Sequence, residues 1–112
     1  MATEDDVRRL ALALPGVTER PSYGTPGFRV RDRLFARIHQ GDGALVLWTA
    51  DPADKESYIA SEPDVFFTTP HYDGHAHVLV RLDRIDAPRL AELLRLAWEV
   101  RAPPALRAEF GE

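Results

Sequence analysis

The segment 86–102 places its apolar residues at helical spacing, and this pattern constrains the fold more than any other part of the chain. The positions follow i, i+3, i+4, i+7 and i+8, and they are Leu90, Leu93, Leu94, Ala97 and Trp98. Asp86 is a typical helix cap, and Pro88 suits a first turn. The pattern predicts an amphipathic helix whose apolar face packs against another element. Pro103 and Pro104 are expected to end it, leaving a short polar tail.

A second helix is predicted at the start of the chain. Thr3 is a good N-cap, and the acidic residues 4–6 suit the positive end of a helix dipole. One apolar stripe follows, formed by Val7, Leu10, Ala11 and Leu14. Pro15-Gly16 then ends the helix.

Short strands and one short helix are predicted between these terminal helices. The strands are 27–30, 34–39, 44–48, 65–68 and 76–82. The run 44–48 is apolar throughout, which predicts cover on both of its faces. A helix is expected from Asp51-Pro52 to about residue 61. This order predicts an α+β fold, a single domain over residues 1–112 in which an antiparallel sheet packs against N- and C-terminal helices.

Composition excludes several classes of protein. With no cysteine among its 112 residues, the chain forms neither disulfides nor thiolate metal sites and has no cysteine nucleophile. No apolar run approaches the roughly 20 residues that span a membrane, and the N-terminus is acidic where a signal peptide is basic. We therefore expect no membrane association and a cytoplasmic location.

Several short motifs, in their order and spacing, resemble the MmcQ/YjbR family. They are Leu14-Pro15-Gly16-Val17, Pro21-Ser22-Tyr23-Gly24, Phe28-Arg29-Val30, Leu34-Phe35-Ala36-Arg37-Ile38, Thr69-Pro70-His71-Tyr72 and the helix with Trp98 before Ala102-Pro103. The resemblance covers almost the whole chain. It implies a compact α-β-α fold similar to the CyaY-like, or frataxin-like, arrangement. The family is often described as DNA-binding, so the resemblance also implies a nucleic-acid partner.

Arginines are concentrated in one part of the chain. Residues 20–39 carry five arginines and one aspartate, a net charge of +4, although the whole chain has a net charge of −4. Alternation with Phe28 and Val30 predicts that arginines project from one face of a β-hairpin, where guanidinium groups can contact phosphates. The predicted nucleic-acid-binding set is Arg29, Arg31, Arg33 and Arg37. Alternatively, these side chains form a solvated strand face paired with nearby acids.

Two tyrosines in Pro/Gly-rich loops provide a second possible function. Tyr23 and Tyr72 lie in segments of the kind where ligand contacts concentrate, and His71 precedes Tyr72. These three residues form the predicted ligand-binding set, for a small molecule or a protein partner. Trp48 and Trp98 are instead expected to belong to the core.

Catalytic and metal-binding chemistry are not predicted. His71, His75 and His77 have a spacing that zinc can use, but a polar turn followed by one strand face is the favoured explanation. The common motifs of hydrolases, nucleotide-binding loops and zinc proteases are absent. We therefore predict a noncatalytic binding module with no metal and no cofactor.

Overall fold

One antiparallel sheet of six strands, in the order β1-β2-β3-β4-β6-β5, forms the centre of the protein. The computed structural model describes residues 1–39 and 41–110. The strands are β1 Val17–Ser22, β2 Thr25–Val30, β3 Arg33–His39, β4 Ala44–Trp48, β5 Phe66–Phe67 and β6 His77–Arg81. The predicted α+β class is confirmed. Gln40, part of the turn expected before β4, lies outside the described residues.

Four α-helices accompany the sheet. They are α1 Glu4–Leu12, α2 Pro52–Ser61, α3 Ala87–Arg101 and α4 Pro104–Phe110. The predicted caps are present: the Asp6 amide donates to the Thr3 hydroxyl at 3.1 Å, and the Arg89 amide donates to Asp86 at 3.0 Å. Each cap satisfies a backbone N–H that the helix itself leaves unpaired, which stabilises the first turn.

Helices α1 and α3 cover one face of the sheet and bury the main core. All five apolar residues of the predicted stripe on α3 are at most 3% exposed. Trp98 is fully buried, and its indole N–H donates to the carbonyl of Pro15 at 2.9 Å. This bond joins α3 to the end of α1, so both predicted helices pack as one layer on the sheet.

The sequence prediction missed strand β1. Residues 17–22 pair with β2, and Pro21 stands opposite Pro26. Because β1 is an edge strand, prolines are tolerated there. Tyr23 and Gly24 connect the strands, with φ of 53° and 80°, since a tight two-residue hairpin turn needs left-handed backbone at both positions.

The expected position of Arg31 on a strand face is wrong. Arg31 and Asp32, with φ of 50° and 67°, form the turn between β2 and β3. Strand alternation therefore ends at Val30, and Arg31 lies at the exposed tip of the hairpin.

The polar tail expected after Pro103 is also wrong, because residues 104–110 form helix α4. Pro104 begins α4 because proline suits the first turn of a helix, and it thereby separates α4 from α3. Leu106 is only 6% exposed and packs over Gly16. A Cβ atom at Gly16 would lie 2.9 Å from a Leu106 methyl, so this close approach requires glycine.

Candidate functional site

The sheet face opposite α1 and α3 carries a second, smaller core. Val46 and Leu79 are paired across β4 and β6 and are fully buried. They cluster with Ala44 and with Tyr72, which is 7% exposed and comes from the segment between β5 and β6. The segment between β5 and β6 thus folds over this face of the sheet, and a binding site can form between the two.

Buried polar contacts hold that segment in place. Residues 70–72 form a short 3₁₀ helix, and the Tyr72 carbonyl accepts a hydrogen bond from the Lys55 ammonium of α2 at 2.5 Å. Burial lowers the pKa of Lys55, and the negative charges of Asp73 and Glu56 partly oppose this. At the other end, the Thr49 hydroxyl donates to the Ala76 carbonyl at 2.6 Å.

Arg37 is a buried cation that is hydrogen-bonded to neutral groups. Its side chain lies on the same face as Tyr72 and is 9% exposed. One terminal nitrogen donates to the Tyr72 hydroxyl and the other to the Thr25 hydroxyl, the second at 3.4 Å. The Tyr23 ring lies 5.6 Å from the guanidinium carbon. Within residues 1–39 and 41–110, no carboxylate forms an ion pair with Arg37.

Two cavities of about 320 and 360 Å³ open on this face and share four lining residues, Tyr23, Arg37, His71 and Tyr72. We call them together the sheet-face cavity. The first extends to His39, and the second is also lined by Leu34, Trp48, His75 and His77. The cavity is therefore walled mainly by aromatic rings and imidazoles around one guanidinium.

The pKa of His77 depends on the burial and the charges around the cavity. Its ring lies 4.0 Å from that of Trp48, and its Nδ1 atom is buried without a partner among the described residues. Burial, followed by the positive charges of His75, Lys55, Arg101 and Arg37, lowers the pKa of His77 to about 4. His77 is thus neutral at pH 7, mainly because it is buried, and Lys55, Arg101 and Arg37 are cationic neighbours.

Comparison with models of protein families identifies the family of this chain. The family model YjbR matches residues 12–100.

The chain belongs to the YjbR family.

Uncharacterised proteins of Mycobacterium tuberculosis and Mycobacterium bovis are similar to this YjbR protein. Each is 36% identical over 127 residues, covering 98% of this chain and 96% of the relative. The crystal structure of the Deinococcus radiodurans protein DR2400, which carries the domain DUF419, superimposes with a TM-score of 0.77 at 28% identity. That match covers 99% of this chain and 89% of the other. The resemblance noted from the motifs is confirmed.

The four predicted nucleic-acid-binding arginines of the YjbR chain are not gathered on one surface. Arg37 is buried in the sheet-face cavity, whereas Arg31 and Arg33 are exposed at the tip of the β2–β3 hairpin. Arg29 is half-buried, and its Nε atom has no partner among the described residues. A nearby cation, Arg20, is paired with Asp32 at 2.8 Å.

The predicted ligand-binding set, in contrast, is brought together. Tyr23, His71 and Tyr72 all line the sheet-face cavity. The sequence interpretation missed Arg37 as their neighbour, and it assigned Trp48 to the core although that side chain is half-buried and lines the cavity. No local signal distinguished Arg37, because its neighbours Ala36 and Ile38 point to the opposite face of the strand, into the main core.

Two findings concern metals and membranes. In the part of the chain that the structure describes, no three histidine or acidic side chains are placed to hold a metal ion. Across the same residues, no helix has the length and apolar character needed to cross a bilayer. The cytoplasmic location stays a prediction.

Proposed function

We propose that this YjbR protein is a noncatalytic binding module that holds a small molecule in the sheet-face cavity. One observation carries the proposal: three separate segments converge on the cavity. Tyr23 comes from the β1–β2 turn, Arg37 from β3, and His71 with Tyr72 from the 3₁₀ helix. Each cavity volume is at the lower end of the range for small-molecule sites, about 300–1,000 Å³.

The lining has the composition of a binding site. Aromatic side chains provide apolar area, and a few convergent polar groups fix orientation. Tyr23 is 89% exposed, so its ring is available to a ligand at the cavity mouth. Among the described lining residues there is no serine, lysine or carboxylate side chain.

Titration with small aromatic fragments tests the proposal. We expect amide chemical shifts to change at Tyr23, Arg37 and Tyr72 as fragments are added. Tyr23→Ala should weaken the tightest fragment about three- to tenfold, because an aromatic contact contributes about 0.5–1.5 kcal/mol beyond area burial.

Leu12→Ala is the control for that variant. Leu12 is an exposed apolar side chain of α1, on the helical side of the sheet, and its removal should leave affinity unchanged. Shifts confined to the 530 Å³ groove near Tyr58 and Val100, which meets the sheet-face cavity at Trp48, would contradict the proposal.

Nucleic-acid contact by the hairpin tip is the second candidate function. It is favoured by the exposure of Arg31 and Arg33, for which no ion-pair partner is present among the described residues. Guanidinium groups in such positions bind phosphate oxygens. The chain's net charge of −4 limits such binding to local contacts of the hairpin.

Fluorescence anisotropy of labelled duplex and single-stranded DNA at two salt concentrations tests this candidate. Arg31→Glu should weaken binding and reduce the log–log salt slope by about 0.9 for each lost phosphate contact. Arg84→Glu changes the net charge equally at an exposed position away from the hairpin, and it should not alter the slope. Equal effects of the two variants, or no binding at low salt, would contradict the candidate.

A further inference from the structure

We infer that the ligand of the sheet-face cavity is a small aromatic oxyanion, in which a carboxylate or phosphate group pairs with Arg37. The inference rests on the proposed function and names the chemical class of its ligand. It is carried by the contacts of Arg37 and by the groups around them.

Arg37 differs from the paired arginines of the surface. Arg8 pairs with Glu19 at 2.8 Å, Arg89 with Glu62 at 2.6 Å and Arg95 with Glu99 at 3.1 Å, all with partly exposed side chains. Arg37 is more buried, yet its described partners are the hydroxyls of Tyr72 and Thr25. Among the described residues Arg37 is thus the most buried arginine, whereas the arginines in these ion pairs are partly exposed.

A buried charge is costly when it lacks a counterion. Guanidinium has five N–H donors in a fork that matches carboxylate and phosphate oxygens. The two described hydrogen bonds of Arg37 engage one donor on each terminal nitrogen. The remaining donors are available to an oxyanion at a cavity wall.

The surrounding charges favour the same class of ligand. The side chains of Lys55, Arg101 and Arg37 all act as positive neighbours of His77, which lines the cavity. Among the described lining residues of both cavities there is no carboxylate side chain. The acids next to the lining already have partners: Asp42 accepts a hydrogen bond from His39 Nδ1 at 2.8 Å, and Asp73, which follows Tyr72 in the chain, accepts one from the Thr68 hydroxyl at 3.3 Å.

An aromatic body suits the remaining walls. The exposed Tyr23 ring lies beside the Arg37 guanidinium, and the Trp48 ring lies against His77 deeper along the same lining. Flat rings of this kind pack against planar ligands in offset or edge-to-face arrangements. A planar ligand whose oxyanion reaches Arg37 therefore fits both the charge and the shape of the cavity.

A series of probes that differ mainly in charge tests the inference on the unmodified full chain. The probes are benzoate, phenyl phosphate, benzamide and benzylamine, and binding is followed by backbone amide shifts at Tyr23, Arg37 and Tyr72. We expect benzoate or phenyl phosphate to bind at least about tenfold tighter than benzamide, because hydrogen bonds to charged groups are the stronger ones. Benzylamine should bind weakest. The tighter of the two anions identifies the oxyanion.

Arg37→Gln provides a second measurement. We expect it to reduce benzoate affinity about tenfold and benzamide affinity by much less, while Arg84→Gln, at an exposed position outside the cavity, changes neither. Far-ultraviolet circular dichroism checks that Arg37→Gln is folded. If it is not, the probe series on the unmodified chain remains decisive.

The outcomes separate the inference from the proposed function. If benzamide or benzylamine binds at this cavity as tightly as the anions, the site binds small molecules but the oxyanion inference is wrong. If no aromatic probe of any charge shifts the amides of Tyr23, Arg37 or Tyr72, the proposed function itself is wrong.

Discussion

Replacement of Tyr72 with alanine is expected to lower the free energy of unfolding by about 3–5 kcal/mol. The Tyr72 ring is 7% exposed and completes the second core together with Ala44, Val46 and Leu79. Truncation leaves a cavity there, and it also removes the hydroxyl that accepts from the buried Arg37. Urea denaturation followed by circular dichroism measures the loss.

Two further variants divide this effect into its parts. Tyr72→Phe keeps the ring but leaves Arg37 without one acceptor, so we expect a loss of about 1–3 kcal/mol. Tyr23→Ala changes an exposed tyrosine of the same cavity and should alter stability by no more than about 0.5 kcal/mol. A Tyr72→Ala protein as stable as the unmodified chain would mean that the 70–72 segment does not pack on the sheet.

Acidification is expected to destabilise the protein through His77. The unfolded chain binds a proton at His77 below the ordinary pKa of 6.5, but the folded chain does so only below a pKa of about 4. Because the unfolded state binds more protons between these values, the free energy of unfolding falls as pH is lowered through this window. The full shift corresponds to about 3 kcal/mol, which we reduce to about 2 kcal/mol because His77 is only partly buried.

Unfolding measured at several pH values, with His77→Gln as the comparison, isolates this contribution. Carboxylates such as Asp6, whose pKa is lowered by hydrogen bonds to the Thr3 backbone and to Arg9, also lose stabilising contacts in acid. They do so equally in both proteins, so the difference between the two curves belongs to His77. His71→Gln changes an exposed histidine and should leave the curve unaltered. Parallel curves for His77→Gln and the unmodified chain would contradict the prediction.

The helical layer was predictable from the sequence because its signals are local. The stripe on α3 repeats at the period of a helix, and capping by Thr3 and Asp86 depends on residues within one turn. The cover on both faces of β4 followed from a run of five apolar residues. The predicted ends of the strands were wrong near Tyr23 and Arg31. Both residues have a positive φ, which is rare for residues other than glycine, and the sequence pattern does not indicate it.

The order of the sequence motifs along the chain also indicated the YjbR family, and the periodicity of the apolar residues determined which side chains face the main core. Only the tertiary structure decided the candidate site, because it depends on contacts between distant segments. Tyr72 and Arg37 are 35 residues apart, and nothing local distinguishes the buried Tyr72 from the exposed Tyr23. The segment around Tyr72 covers the second sheet face because Lys55 donates a hydrogen bond to the Tyr72 carbonyl and Thr49 donates one to the Ala76 carbonyl. Because the segment covers this face, the Arg37 side chain is buried, forms no ion pair with a described carboxylate and lines the sheet-face cavity.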